Sequence, residues 1–133
     1  MNRQTLRPAI ALLFAVVSAL PAQAGGDVAS GKAVFSRACM PCHDAVSGAD
    51  KVGPHLSGVV GRTAGTAESY LGRYSPAMKA AGGAGLVWTQ ANLTEYLRAP
   101  KAMVPGNRMM FAGLKKDADI DNVVAYLKAN PKP

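Results

Sequence analysis

The only two cysteines of this 133-residue chain stand in Cys39-Met40-Pro41-Cys42-His43. Two thiols three positions apart, followed at once by an imidazole, can do few things. C-x-x-C-H is the spacing at which two sulfurs add across the vinyl groups of a c-type haem while the adjacent histidine reaches the iron from the same turn of chain. A thioredoxin-type redox disulfide needs a βαβ setting, and the surrounding pattern of loops and helices lacks one. A structural zinc site wants four Cys or His ligands; beyond the cysteines the chain offers only His43 and His55. The expected chemistry is covalent attachment of one haem c through Cys39 and Cys42, with His43 as proximal iron ligand.

The far side of the iron decides what such a haem does, because an open position admits small ligands and a filled one favours electron transfer. His55 and six methionines are the available candidates. Met1 falls in the leader described below, Met40 lies inside the attachment loop, and Met78 sits in a glycine-rich stretch where a packing role is expected. Met103, Met109 and Met110 are left open by the residues alone.

The elements that must position these groups follow from local signals. Asp27 can cap a helix with apolar positions at Val28, Val34, Phe35 and Ala38, running straight into the cysteine motif. From Asp44 to Leu86, breaks at Gly53-Pro54, Gly58, Gly61, Gly65, Pro76 and Gly82-Gly83 predict loop, with one short helix near Pro76 to Ala81. So long an irregular stretch is unusual in a small domain, unless it wraps a large ligand that supplies the missing core. Thr89 can cap a second helix with Leu93, Tyr96 and Leu97 on one face and Pro100 as its stop. A loop from Pro100 to Leu114 carries the three open methionines. Asp117 then starts a final helix striped by Ile120, Val123, Val124 and Leu127 and closed by Asn130-Pro131. Strand alternation of useful length, internal repeats and low-complexity tracts are absent, so the expected fold class is all-α with long ordered loops.

The N-terminus reads as an export signal. Arg3 and Arg7 precede an apolar run from Ala9 to Leu20 and then Pro21-Ala22-Gln23-Ala24, a small-residue cleavage site. The run is shorter than the roughly 20 apolar residues of a membrane span. Cleavage after Ala24 would leave residues 25–133 as a single working domain of 109 residues, with no stretch apolar enough to insert in a membrane, in the periplasm. Without Arg3 and Arg7 the net charge falls from +7 to +5, with 13 basic residues against 8 acidic ones. An acidic protein partner fits this balance. Nucleic acid does not, since no basic run is interleaved with aromatics.

From Cys39 onward the sequence resembles mitochondrial cytochrome c and the soluble class I bacterial monohaem cytochromes c, and the match covers most of residues 26 to 130. The resemblance implies the cytochrome c fold: a few helices with long loops wrapped around one covalently attached haem. Pro105-Gly106-Asn107-Arg108-Met109-Met110-Phe111-Ala112-Gly113 is similar to the family's ligand loop and implies Met109 as the second axial ligand, with Met110 turned away. Gly53-Pro54-His55-Leu56-Ser57-Gly58-Val59-Val60-Gly61-Arg62 is similar to the segment beneath the haem. There the Pro54 carbonyl is expected to accept a hydrogen bond from the proximal imidazole, and His55 is expected to be a loop histidine. By the same resemblance Arg62, Tyr74 and Trp88 hold the haem propionates, Tyr96 places its hydroxyl near the methionine sulfur, and Gly31 and Phe35 meet Val123 and Tyr126. Asn107 and Met78 stand where other polar side chains often join the pocket network. The stretch between Tyr74 and Trp88 is a few residues longer than in the mitochondrial pattern.

The implied function is single-electron shuttling by a monomeric carrier, not enzyme catalysis; a peroxidase needs acid and base groups above the iron, and none stands out beside Met109. Lys32, Lys101, Arg108, Lys115 and Lys116 are the expected docking cations. The partners implied are redox proteins with acidic surfaces: a cytochrome bc-type complex, a terminal oxidase, a reaction centre or a dehydrogenase.

Overall fold

The computed structural model describes residues 25–130; the expected signal peptide, residues 1–24, lies outside them. The Asp27 carboxylate accepts the Ser30 N–H at 2.6 Å and opens α1 (Val28–Ala38). This satisfies one of the backbone donors that a helix start leaves unpaired. α1 buries Gly31, Val34 and Phe35, and its main partner is the C-terminal helix, Asp117–Ala129.

That crossing is tight because of what Gly31 lacks. A Cβ there would lie 1.9 Å from the Asn122 carbonyl oxygen, so the two backbones meet only because no side chain intervenes. Phe35 and Tyr126 pack beside it with ring centroids 5.4 Å apart. Ile120 and Val123 are fully buried, each contributing about 1.5–3 kcal/mol. The Asp27 N–H donates to Asn122 Oδ1 at 2.7 Å, and Arg37 pairs with Asp119 at 2.8 Å. These contacts set the register of the crossing more than its strength, since exposed ion pairs add little.

Between these helices the chain is irregular but ordered. A 3-10 turn spans Glu68–Tyr70. The Ser75 hydroxyl accepts the Met78 N–H at 3.1 Å and starts α2 (Pro76–Gly83), with Pro76 in the first turn. α2 runs past the expected end at Ala81 and through both glycines. Gly82 sits against Ala64, whose carbonyl oxygen would be 1.9 Å from a Cβ at that position; the glycine serves close packing rather than helix termination. An isolated antiparallel bridge, Thr63 with Val87, folds the long loop back on itself. Hydrogen bonds from Gly61 N–H to Trp88 O and from Trp88 N–H to Arg62 O, both 2.9 Å, flank it.

Thr89 caps α3 (Gln90–Arg98) through the Asn92 N–H at 3.1 Å, and the helix buries Leu93 and Tyr96. Pro100 does not open a loop as expected. It stands in the first turn of a further short helix, α4 (Pro100–Met103), where its missing N–H costs nothing. The final helix is therefore α5 (Asp117–Ala129). None of the helices among the described residues is long and apolar enough to cross a membrane.

Candidate haem-attachment site

α1 delivers the cysteine motif directly. The N–H groups of Cys39 and Met40 both donate to Phe35 O, at 2.8 and 2.9 Å, and those of Cys42 and His43 donate to Cys39 O, at 3.0 and 2.9 Å. The motif is thus one further turn of chain on the helix end, which carries both sulfurs and the imidazole to the rim of one cavity. Neither cysteine is in a disulfide; Cys39 is partly buried and Cys42 exposed. Burial pushes the Cys39 thiol up to about 11, against a smaller opposing effect of Arg37, so at neutral pH it stands as the thiol.

His43 is held in one orientation and one tautomer. Its Nδ1 lies 2.7 Å from the Pro54 carbonyl oxygen. A carbonyl only accepts, so Nδ1 carries the hydrogen and Nε2 is left with a free lone pair. Burial lowers the imidazole pKa; the Pro54 hydrogen bond opposes this, and the charges of Lys51 and Arg62 add to it. The ring is therefore neutral, as a metal-ligating histidine has to be. Gly53 lets the chain pass against it, since a Cβ there would lie 2.3 Å from His43 Cε1.

The walls come from the loops and from α3. Trp88 and Tyr96 pack with ring centroids 4.7 Å apart. Burial pushes the Tyr96 hydroxyl up to about 12, and burial likewise raises Tyr74, against the Ala67 N–H and Arg62. Arg62 donates to the carbonyl oxygens of His55, at 2.8 Å, and Ser57, at 3.5 Å. Among the described residues it has no carboxylate within ion-pair distance, and burial lowers its pKa.

The methionine loop borders the same cavity. Met109 is partly buried there, while Met110 is 97% exposed. Asn107 also borders the cavity, but its amide is engaged with its own loop and with α4. Lys32, Lys101, Arg108, Lys115 and Lys116 are all exposed, and the Lys101 ammonium is tied to the Asn107 carbonyl oxygen.

The structure thus brings Cys39, Cys42, His43, Pro54, Arg62 and Tyr74 to one cavity of about 620 Å³, together with Trp88, Tyr96, Asn107 and Met109. Sequence reasoning missed a strap on the rim of this cavity. The Tyr70 hydroxyl donates to Val52 O at 2.5 Å, and Arg73, lying 4.3 Å over the Tyr70 ring, donates to Lys51 O at 2.8 Å. Met78, expected to be a packing residue, is buried and lines the cavity too. His55 does not line it; its Nδ1 is buried with no hydrogen-bond partner among the described residues.

These residues suit a haem. The cavity falls within the roughly 300–1,000 Å³ of cofactor sites, its walls are mainly apolar and aromatic, and two free thiols and a neutral imidazole stand together at its edge. The partly buried Arg62 cation, hydrogen-bonded to carbonyls and within the longer-range field of Asp50, is what a group bearing carboxylates would neutralise.

The class defined by this fold and site is a helical protein built around one covalently attached haem. The cytochrome c family model matches residues 28–131. Cytochrome c2 of Agrobacterium tumefaciens (strain II Chrys) is 52% identical over 111 residues, 81% of this chain and 97% of that protein. Cytochrome c-550 of Nitrobacter winogradskyi is 50% identical over 103 residues, covering 77% and 89% of the two chains. Among solved structures, cytochrome c2 from Rhodospirillum centenum superposes with a TM-score of 0.73 at 38% identity, covering 80% of this chain and 99% of that one. Cytochrome cH from Methylobacterium extorquens gives 0.69 at 41% identity, over 78% and 99%. The chain belongs to the cytochrome c family, in its class I branch. It carries one covalently attached haem c, with which the presence of Cys39 and Cys42 is consistent, and it is a single-electron carrier rather than an enzyme.

Proposed function

We propose that this cytochrome is a periplasmic shuttle of a respiratory chain whose iron is held by His43 and Met109, with Pro54, Arg62, Tyr74, Trp88, Tyr96 and Asn107 forming the rest of the haem site. The observation that carries this reading is the 2.7 Å contact of His43 Nδ1 with the Pro54 carbonyl. It leaves Nε2 as the one lone-pair donor of a partly buried ring, in a cavity that Met109 also borders.

The haem, when bound, supplies the one-electron chemistry of its iron. The protein's part is to hold still around it. His43 is wedged between the Pro54 carbonyl and Gly53, the apolar walls keep out water, and Arg62 offsets the carboxylates of the bound group. With both ligands held through a change of one charge, little rearrangement accompanies transfer.

Export through a signal cleaved after Ala24 leaves residues 25–133 with a charge of +5. Lys32, Arg108, Lys115 and Lys116 are exposed and suit an acidic docking surface, on a cytochrome bc-type complex, a terminal oxidase, a reaction centre or a dehydrogenase. Charge complementarity of this kind speeds encounter more than it strengthens the complex, which suits a monomeric carrier that has to leave again.

Replacing Met109 by Ala tests the ligand assignment. The oxidised protein is expected to lose its sulfur-to-iron charge-transfer band and its midpoint potential to fall, since a thioether ligand raises the potential. An unchanged spectrum and potential would remove Met109 from the iron.

A further inference from the structure

Asn107 is 4% exposed, and its side chain makes every hydrogen bond available to it. Nδ2 donates to the carbonyl oxygens of Pro100, at 2.9 Å, and Val104, at 2.8 Å, so the amide hydrogens end on the first residue of α4 and on the residue just after it. Oδ1 accepts the backbone N–H of Met109 at 3.0 Å and the Lys101 ammonium at 3.3 Å. Lys101 also donates to the Asn107 backbone carbonyl. An amide has two donors and two acceptor sites, and here all of them are directed at the protein. Nothing of this side chain is left to offer a group in the cavity it borders.

We propose that Asn107, braced by Lys101, is the positioning residue of Met109: it fixes the backbone that presents the thioether instead of contacting the haem. The inference rests on the reading of Met109 as an iron ligand. A competing base reaches the iron only during the fraction of time in which the loop stands open, and its apparent affinity scales with that fraction. In the closed loop the Asn107 amide pairs the Met109 N–H and gives the carbonyls of Pro100 and Val104 a second donor. Without the amide the Met109 N–H is left to water, while the Pro100 and Val104 carbonyls keep their backbone donors; the loss at Met109 favours the open state.

The test is imidazole titration of the oxidised holoprotein, with the midpoint potential measured alongside. Asn107→Ala is expected to raise the apparent imidazole affinity by about tenfold, the scale of one buried hydrogen-bond network, and to lower the potential. Lys101→Met, which keeps the aliphatic stem, is expected to move both in the same direction by less. Ile120→Val loosens the α1–α5 core away from the cavity and is expected to leave imidazole affinity as in the wild type.

Wild-type affinity in both Asn107→Ala and Lys101→Met would overturn the proposal, as would an equal rise in Ile120→Val. A changed pH dependence of the potential at unaltered imidazole affinity would assign Asn107 to the haem carboxylates instead. Should Asn107→Ala yield no holoprotein, Lys101→Met decides alone. A wild-type spectrum without the sulfur-to-iron band would remove Met109 as ligand and the inference with it. The band present with inert Asn107 and Lys101 variants removes the inference only.

Discussion

His43 Nδ1 and the carbonyl oxygen of Pro54 lie 2.7 Å apart, joined across an 11-residue separation by the turn at Gly53. The bond settles which ring nitrogen is free, and the close approach beside it makes the neighbouring glycine a steric requirement of that imidazole.

Gly53→Ala is accordingly expected to damage the site without touching its chemistry. The added methyl would meet His43 Cε1 at 2.3 Å, so the ring or the loop has to move and the Pro54 hydrogen bond is lost. The holoprotein should lose about 1–3 kcal/mol of stability, the usual range for overpacking. Denaturant unfolding followed at the haem absorbance measures this, and a midpoint equal to that of the wild type would contradict the close approach.

Gly31→Ala probes the helix crossing instead. Its methyl would overlap the Asn122 carbonyl oxygen, 1.9 Å away, forcing α1 and α5 apart. The expected loss is again about 1–3 kcal/mol, but with the visible spectrum and potential unchanged. A shifted potential would mean that this crossing and the haem site are coupled.

The acid limb of the stability curve should respond to Asp27. The Ser30 N–H, and then the Ser30 hydroxyl, hold its carboxyl below the usual carboxylate value. The folded pKa is the lower one, so the stabilisation is present above the unfolded value of about 3.9 and is lost as pH falls through the folded value. Asn caps as well as Asp but does not titrate. Asp27→Asn should therefore fold normally near neutrality and show a shallower fall in stability below about pH 4. A slope matching the wild type would exclude the cap carboxylate as a contributor.

Electron transfer to an acidic partner should slow as salt is added, because the Debye length shortens to about 10 Å at 0.1 M. Lys116→Glu should lower the bimolecular rate a few-fold at low ionic strength and leave the potential unaltered. Stopped-flow rates across a salt series check this. A salt-independent rate would place docking on an uncharged face.

Those features whose cause is local were legible in the sequence. Asp27 and Thr89 cap α1 and α3 through N–H groups three residues away, and the cysteine motif is a single turn. Pro100 was misleading because proline suits the residue after one helix and the first turn of the next equally well. Gly82 looked like a breaker, but its role is contact with Ala64, which is distant in sequence. The strap was hidden for the same reason: Tyr70 reaches Val52 over 18 residues and Arg73 reaches Lys51 over 22. Resemblance placed Asn107 at the cavity, where it lies, but the hydrogen bonds that occupy its amide depend on α4, a helix the sequence did not announce.

The cavity of about 620 Å³ sits where a small domain would otherwise keep its interior. Ala38 of α1, Met78 of α2, Leu93 and Tyr96 of α3 and Leu127 of α5 all border that space, so a group filling it would join elements that otherwise meet around a cavity. Bonding of the haem at the rim is expected to complete the interior. Durability against proteases therefore begins at that bond-making step and not at the end of translation.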